Sequence, residues 1–265
     1  MHRYSYYKTA ACTPNVSIGD PQANKEEILN CIQKLDSDTQ LVVFPELCIT
    51  GYTCQDLFYE HTLLNKAKQV LFEIVEELPE NLVTVLGLPL EIENKLYNCA
   101  AICFNNDILG IQVKTYIPSY NEFYETRWFS SASELKENTT FKFKNKKVPV
   151  SNHIVFKDTT TSACLGVEIC EDLWVTIPVS STHALAGANV LCNVSASNEI
   201  ISKANYRRNL VKDQSAKCYA GYVYASAGPT ESSSDLVFSG HNLICENGTI
   251  LSETNTDKII YGQID

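Results

Sequence analysis

The sequence predicts a layered α/β protein, and three observations carry that prediction. Short continuous apolar runs, Leu41 to Phe44, Val83 to Leu88 and Val190 to Val194, have the length and composition of strands buried on both faces. Longer stretches between them place apolar residues at helical spacing: Ile28, Leu29, Ile32 and Leu35, then Leu63, Leu64, Ala67, Val70, Leu71, Ile74, Val75 and Leu78. The 265 residues exceed a typical single domain but suit one large α/β unit, so residues 1–265 are taken as one domain.

In chain order, residues 4–12 form a first strand closed by Thr13-Pro14-Asn15. Asp20 then offers an N-cap with Pro21 at the first helical position. The run Leu41 to Phe44 ends at Pro45-Glu46, which leaves a carboxylate at a strand end. An aromatic loop from Gly51-Tyr52 leads into the second helix, and Val83 to Leu88 is the next strand. Ala100 to Phe104 and Ile108 to Val113 read as a hairpin around Asn105-Asn106-Asp107, delivering Lys114 at its end. Residues 115–135 form a long loop dense in large side chains, which suits a packed pocket wall. Residues 136–160 are polar and expected to be peripheral, with Lys142 to Lys147 a solvated loop. Ser162 to Ile169 reads as a buried strand and ends at Cys170-Glu171-Asp172. Ser180 or Ser181 caps a short helix through Ala188, Lys203 to Tyr219 is a further helix, and Gly221 to Ala227 a strand. The last hairpin, 242–245 with 249–251, turns at Asn247-Gly248, and Lys258 to Ile264 is the final strand.

The formal charge of −10 and the lack of a Lys/Arg cluster argue against nucleic acid and anionic membranes as partners and favour a small molecule. Eleven cysteines, an odd count in a long chain with no apolar segment after Met1, point to a reducing cytoplasm rather than a disulfide framework. No Cys/His set has metal-binding spacing, and no apolar run reaches transmembrane length.

A packing thiol sits among apolar neighbours, whereas Cys170 is followed by two carboxylates that must be solvated or paired, so this strand end opens into a cleft. In layered α/β proteins ligands gather beyond strand ends, where Glu46, Lys114 and Cys170 all lie. A base, a cation and a thiol meet the needs of amide hydrolysis through a covalent intermediate. Each also has a plain alternative: a turn cap, a solvated lysine, a core cysteine.

Phe44-Pro45-Glu46-Leu47 with Thr50-Gly51-Tyr52, then Lys114, then Val167 to Asp172, resembles the Glu-Lys-Cys triad of the nitrilase (carbon–nitrogen hydrolase) superfamily. Four stretches narrow the resemblance to the glutaminase domains of glutamine-dependent NAD synthetases: 51–58, 118–125, Asn193-Val194-Ser195-Ala196-Ser197, and 230–236. The resemblance implies a four-layer αββα sandwich assembled into dimers or larger homo-oligomers. It implies that Glu46 is the general base, Cys170 the nucleophile and Lys114 the oxyanion stabiliser, aided by the backbone N–H of Glu171. It implies glutamine contacts from Tyr52, Tyr120, Phe123, Glu171, Ser197 and Lys203, the last standing where the family pattern often has Arg. Either Glu122 or Glu125 orients Lys114, with Glu125 preferred. The family couples this domain to an ATP-dependent synthetase domain, whose pyrophosphate loop does not occur before Asp265. On that reading the partners are glutamine and a synthetase domain, ATP and magnesium belong to that other domain, and this part needs no metal or cofactor. A free-standing amidase of the same fold and a non-catalytic regulatory domain are the competing readings.

Overall fold

The computed structural model describes residues 6–254 and 258–265. The first half of the chain builds an eight-stranded sheet. Its strands are β1 (Tyr7–Cys12), β2 (Leu41–Val43), β3 (Val83–Ile92), β4 (Lys95–Phe104), β5 (Asp107–Val113), β6 (Thr140–Phe143) and β7 (Lys146–Ser151), and the last strand of the chain, β14 (Ile259–Ile264), joins them at one edge. The order is β14-β1-β2-β3-β4-β5-β7-β6, with β1, β2 and β3 parallel. The second half builds a six-stranded sheet of β8 (Val155–Lys157), β9 (Cys164–Ile169), β10 (Val190–Ser195), β11 (Gly221–Ser226), β12 (Leu243–Glu246) and β13 (Thr249–Glu253), in the order β13-β12-β11-β10-β9-β8, with β9, β10 and β11 parallel.

Helices cover the outer face of each sheet. Helices α1 (Pro21–Gln33) and α2 (His61–Glu77) lie over the first, burying Ile28, Ile32, Ala67, Val70, Leu71, Ile74 and Val75 against Val42, Leu86, Leu88 and Ala101. The Asp20 carboxylate caps α1 by accepting the N–H groups of Gln22 and Ala23, as the Asp-Pro pair predicts. Helices α3 (Val179–Leu185) and α4 (Lys203–Cys218) lie over the second sheet, next to Leu191, Tyr222, Tyr224 and Leu243. Between the sheets, Ala11, Leu41, Val43, Val85 and Ile102 meet Val167, Ile169, Val190, Cys192, Val194 and Val223. The strands are therefore apolar on both faces because both faces are covered, and the four layers run α, β, β, α.

Three expectations need correction. Residues 136–160 are not merely peripheral polar chain: they hold β6, β7 and β8, and Phe141, Phe143, Val148 and Val150 are buried while the lysines between them stay exposed. The alternation is that of an edge hairpin, and Lys142 to Lys147 belongs to it. Strands β3 and β4 extend to a turn at Glu93-Asn94, both left-handed at φ 50° and 63°, a tight turn without the glycine that would advertise it. Helix α3 begins after Pro178 with no side-chain cap, and Ser180 lies inside it, donating its N–H to Glu168 Oε2 at 2.6 Å. The first strand starts at Tyr7, and the Tyr4 and Ser5 portion of the expected strand lies outside the described residues.

Candidate active site

Three strand ends converge. Glu46 follows β2 in a tight turn where Leu47 is left-handed, φ 52°, and the Gly51 N–H donates to Leu47 O at 2.8 Å. That turn crosses β3 at Gly87, where a Cβ would stand 2.4 Å from both Pro45 O and Leu47 N, so only glycine admits the crossing. Lys114 is the residue after β5, still tied to the sheet by its N–H to Asn98 O at 2.9 Å. Cys170 is the residue after β9 and opens a 3-10 turn to Leu173 with φ 46°. A left-handed conformation at a non-glycine residue costs on the order of 1–3 kcal/mol and persists only where surrounding contacts over-determine it. One such contact is Asp172, which is fully buried. Its Oδ1 accepts the N–H groups of Thr115 and Tyr116 at 3.0 and 2.9 Å, and its Oδ2 accepts that of Ile169 at 3.1 Å. This carboxylate staples the chain after Lys114 to the chain before Cys170.

The side chains at these ends form a buried ionic cluster. The Lys114 ammonium donates to Glu46 Oε1 at 2.6 Å and to Glu125 Oε1 and Oε2 at 2.9 and 2.8 Å, and all three residues are at most 2% exposed. Asn98 Nδ2 adds a 2.6 Å bond to the same oxygen of Glu46, and the Tyr52 hydroxyl donates to Glu125 Oε1 at 2.8 Å. Of the sequence alternatives, Glu125 holds Lys114, while Glu122 bonds to Asn198 Nδ2. Burial works against the ammonium, but the two carboxylates and the nearby Cys170 outweigh it and hold the Lys114 pKa well above the usual lysine value. Glu125 is pushed up by burial and by Glu46, against the pull of Lys114. The Cys170 thiol is raised by burial first and then by Glu46, with Lys114 opposing, so at neutral pH the sulfur rests protonated beside a base and a cation. Glu46 Oε2 is buried and has no hydrogen-bond partner among the described residues, which leaves one carboxylate oxygen able to accept a proton.

Around this cluster the remaining predicted residues fall into two groups. Tyr52 and Phe123 line an open cleft together with Glu122, Glu125, Trp128 and Leu236, so the cleft touches the cluster through Glu125. The Tyr120 hydroxyl reaches both oxygens of Glu171 at 3.0 Å, and the Tyr120 and Phe123 rings meet edge to face. The Lys203 ammonium lies over the rings of Phe123 and Trp174 at 5.4 and 5.2 Å and bonds to Asn198 Oδ1. Burial lowers its pKa. Ser197 Oγ accepts from Arg207, a wholly buried guanidinium that also bonds Asn198 O at 2.9 Å and His241 Nδ1 at 2.7 Å.

Sequence reasoning missed four residues that shape this site, Asn98, Asn193, Arg207 and Glu231, and saw in Asp172 only a carboxylate that must be solvated or paired. Asn98 lies in the part of β4 that the expected hairpin left out. Glu231 accepts the N–H groups of Tyr52 and Thr53 at 2.8 and 3.0 Å, and it lies in one of the stretches that carried the family resemblance, as does Asn193. Buried polar residues inside otherwise apolar strands were the available signal for Asn98 and Asn193.

Comparison with known proteins agrees with this architecture. The carbon–nitrogen hydrolase profile matches residues 8–265. The glutamine-dependent NAD(+) synthetase of Mycobacterium tuberculosis is 38% identical over 256 residues, which cover 96% of this chain and 37% of that protein. The Homo sapiens glutamine-dependent NAD(+) synthetase is 29% identical over 255 residues, covering 92% and 35%. The crystal structure of a glutamine-dependent NAD(+) synthetase from Cytophaga hutchinsonii superposes with a TM-score of 0.86 at 29% identity, over 98% of this chain and 43% of that one. The chain thus spans little more than a third of the length of the curated relatives it matches. Strand order, layering and a match over nearly the whole chain lead to one conclusion: this chain belongs to the carbon–nitrogen hydrolase family.

Proposed function

We propose that this site hydrolyses the side-chain amide of glutamine through a thioester on Cys170. The observation that carries the reading is the Lys114 ammonium buried between Glu46 and Glu125 beside a cysteine held in a left-handed turn. With both carboxylates ionised the cluster bears one net negative charge. Transfer of the Cys170 proton to Glu46 moves that charge onto sulfur, within the field of Lys114, without changing its sum. The thiolate then attacks the amide carbon. The oxyanion that forms is stabilised by Lys114 and the Glu171 N–H. Glu46 returns its proton to the departing nitrogen, and ammonia leaves as the tetrahedral adduct collapses to the thioester. Water then gives a proton to Glu46 and attacks the thioester, and glutamate departs as the sulfur is reprotonated. Every step balances with the thiol, the carboxylate, the ammonium and water, so the proposed route calls on no metal or cofactor.

Glutamine also suits the polar groups placed near Cys170 and Lys114. Glu171 matches an α-ammonium, Lys203 an α-carboxylate, and the rings of Tyr52, Tyr120 and Phe123 the methylenes, with Ser197 close to the α-carbon substituents. Lys203 offers a point charge in place of a bidentate fork, which predicts a weaker grip on the carboxylate than Arg gives. By analogy with the matched synthetases, the ammonia serves a synthetase domain that amidates deamido-NAD with ATP and magnesium, in a cytoplasmic homo-oligomer. Ammonia release from glutamine, compared with asparagine and simple aliphatic amides, tests the reading. Glutamine preferred and activity abolished in Cys170→Ala supports it; a preference for simple amides replaces it with a free-standing amidase, and activity retained in Cys170→Ala rejects the nucleophile.

A further inference from the structure

The ladder between β9 and β10 ends at the pair Ile169 and Val194, and Cys170 turns away from it. The Cys170 peptide therefore loses its strand partner at the residue whose backbone is left-handed. The side chain of Asn193, on β10, replaces that partner. Its Oδ1 accepts the Cys170 N–H at 3.1 Å and its Nδ2 donates to Cys170 O at 3.4 Å, so one amide brackets both polar groups of the nucleophile's own backbone. Asn193 is fully buried.

The orientation of that amide is itself fixed. Asn193 pairs in register with Glu168 on β9, and Asn193 Nδ2 faces Glu168 Oε1 at 3.5 Å. Glu168 accepts from the Ser180 N–H at 2.6 Å and from the Tyr222 hydroxyl. Both donors point into Glu168 and the Cys170 N–H itself needs an acceptor, so the flipped amide, oxygen toward Glu168, would set acceptor against acceptor at Glu168 and donor against donor at Cys170. The nitrogen must face Glu168 and the oxygen must face the Cys170 N–H. With that N–H committed to Asn193, the N–H of the next residue, Glu171, is the one left for the oxyanion.

We propose that Asn193, with its amide oriented by Glu168, is the positioning residue that holds Cys170 in its reactive left-handed turn. The proposal rests on Cys170 being the nucleophile. Asn193 does not touch the substrate. It acts by keeping the sulfur where Glu46 and Lys114 can serve it, and displacement of a reacting group by about 1 Å lowers rates on the order of a hundredfold.

The test uses iodoacetamide, a small neutral electrophile, with site-resolved peptide mapping of the labelling rate at every cysteine, alongside ammonia release from glutamine and thermal melting. In Asn193→Ala the labelling rate at Cys170 at neutral pH is expected to fall about a hundredfold, kcat to fall in step and KM to stay within about threefold. Glu168→Gln, which keeps the shape but lets the Asn193 amide turn over, is expected to lose about tenfold on the same two readouts, well short of the loss from full displacement. A purely structural role predicts a lower melting temperature with Cys170 labelling and kcat unchanged below the transition, and that result overturns the proposal. Should Asn193→Ala fail to fold, Glu168→Gln carries the test alone, and unchanged labelling and turnover there also overturn it. Selective Cys170 labelling without ammonia release from glutamine would reject glutamine as substrate and leave the labelling arm decisive for Asn193. Failure of Cys170 to label in the unsubstituted protein would overturn both.

Discussion

Replacing Lys114 with methionine removes the single cation from a pocket that then holds two carboxylates. Glu46 Oε1 and Glu125 Oε2 lie 2.6 and 2.8 Å from the same nitrogen, so they are within about 5.4 Å of each other. At an effective dielectric constant near 20, two charges at that separation repel by about 3 kcal/mol, a figure in line with the loss on breaking a buried ion pair. For a chain of this size that corresponds to a fall in melting temperature of about 6–12 °C at pH 8. The sign of the pH dependence follows. With the cation gone, one carboxylate keeps a proton in the folded state at pH values where the unfolded chain has released it. The folded state then binds more protons than the unfolded state above about pH 4.3, so stability falls as pH rises through that window and recovers on acidification. Lys114→Met is therefore expected to melt closest to the unsubstituted protein near pH 5 and furthest from it near pH 8. Adding Glu125→Gln removes one of the two charges and should recover most of the loss at pH 8. Activity follows a different course. Ammonia release should fall about a hundredfold to a thousandfold in Lys114→Met, as when an oxyanion donor is removed, and the double variant should not regain it. Melting curves from pH 5 to 8 and an ammonia assay read both arms. A pH-independent melting deficit, or recovery of activity in the double variant, would refute the assignment of Lys114 as both counter-ion and oxyanion donor.

Asn98→Leu removes the neutral donor to Glu46 Oε1, a bond worth about 1.5–3 kcal/mol to a charged acceptor, and should lower kcat roughly 10- to 150-fold with KM nearly unchanged. Lys203→Met should raise KM for glutamine roughly 10- to 150-fold while changing iodoacetamide labelling of Cys170 far less, because the proposed contact is with the substrate carboxylate and the thiol feels Lys203 only through space. His183 packs over Gly166 and bonds through Nε2 to Asn152 O at 3.2 Å, and burial lowers its pKa to about 4. The unfolded chain therefore binds a proton between about pH 6.5 and 4 that the folded chain refuses, so about 3 kcal/mol of stability is lost as pH falls through that window. His183→Gln should flatten this acid limb in melting experiments; an unchanged limb would show that His183 does not titrate there.

The parts of the fold that were legible in the sequence were those where local pattern and tertiary environment agree. Leu41 to Phe44 reads as doubly buried because it lies between two covered faces, and Asp20-Pro21 reads as a helix start because the cap is made within three residues. The β3–β4 turn at Glu93-Asn94 carries no glycine, and β6 to β8 are short strands at or next to sheet edges whose mark is an alternation of apolar and exposed residues, weaker than a continuous apolar run. In the site, Glu46, Lys114 and Cys170 stood out as charged or reactive groups ending apolar runs. Asn98 and Asn193 did not, and Asp172 stood out only as a carboxylate in need of a partner, because their role is to satisfy backbone and side-chain groups that come together only in three dimensions. Spacing left Glu122 and Glu125 as alternatives for Lys114, three residues apart in one loop, and the placement of Glu125 at 2.8 Å is a property of how that loop folds over the strand ends.

The central claim is that Cys170 attacks a glutamine-shaped substrate. An electrophilic ketone analogue of glutamine, followed by peptide mapping of all eleven cysteines, tests it most directly because it needs no turnover. The account predicts one adduct, on Cys170, suppressed by excess glutamine and absent when Glu46 is replaced by glutamine, which cannot take the thiol proton. Labelling spread over several cysteines, or a Cys170 adduct that excess glutamine leaves untouched, would contradict it.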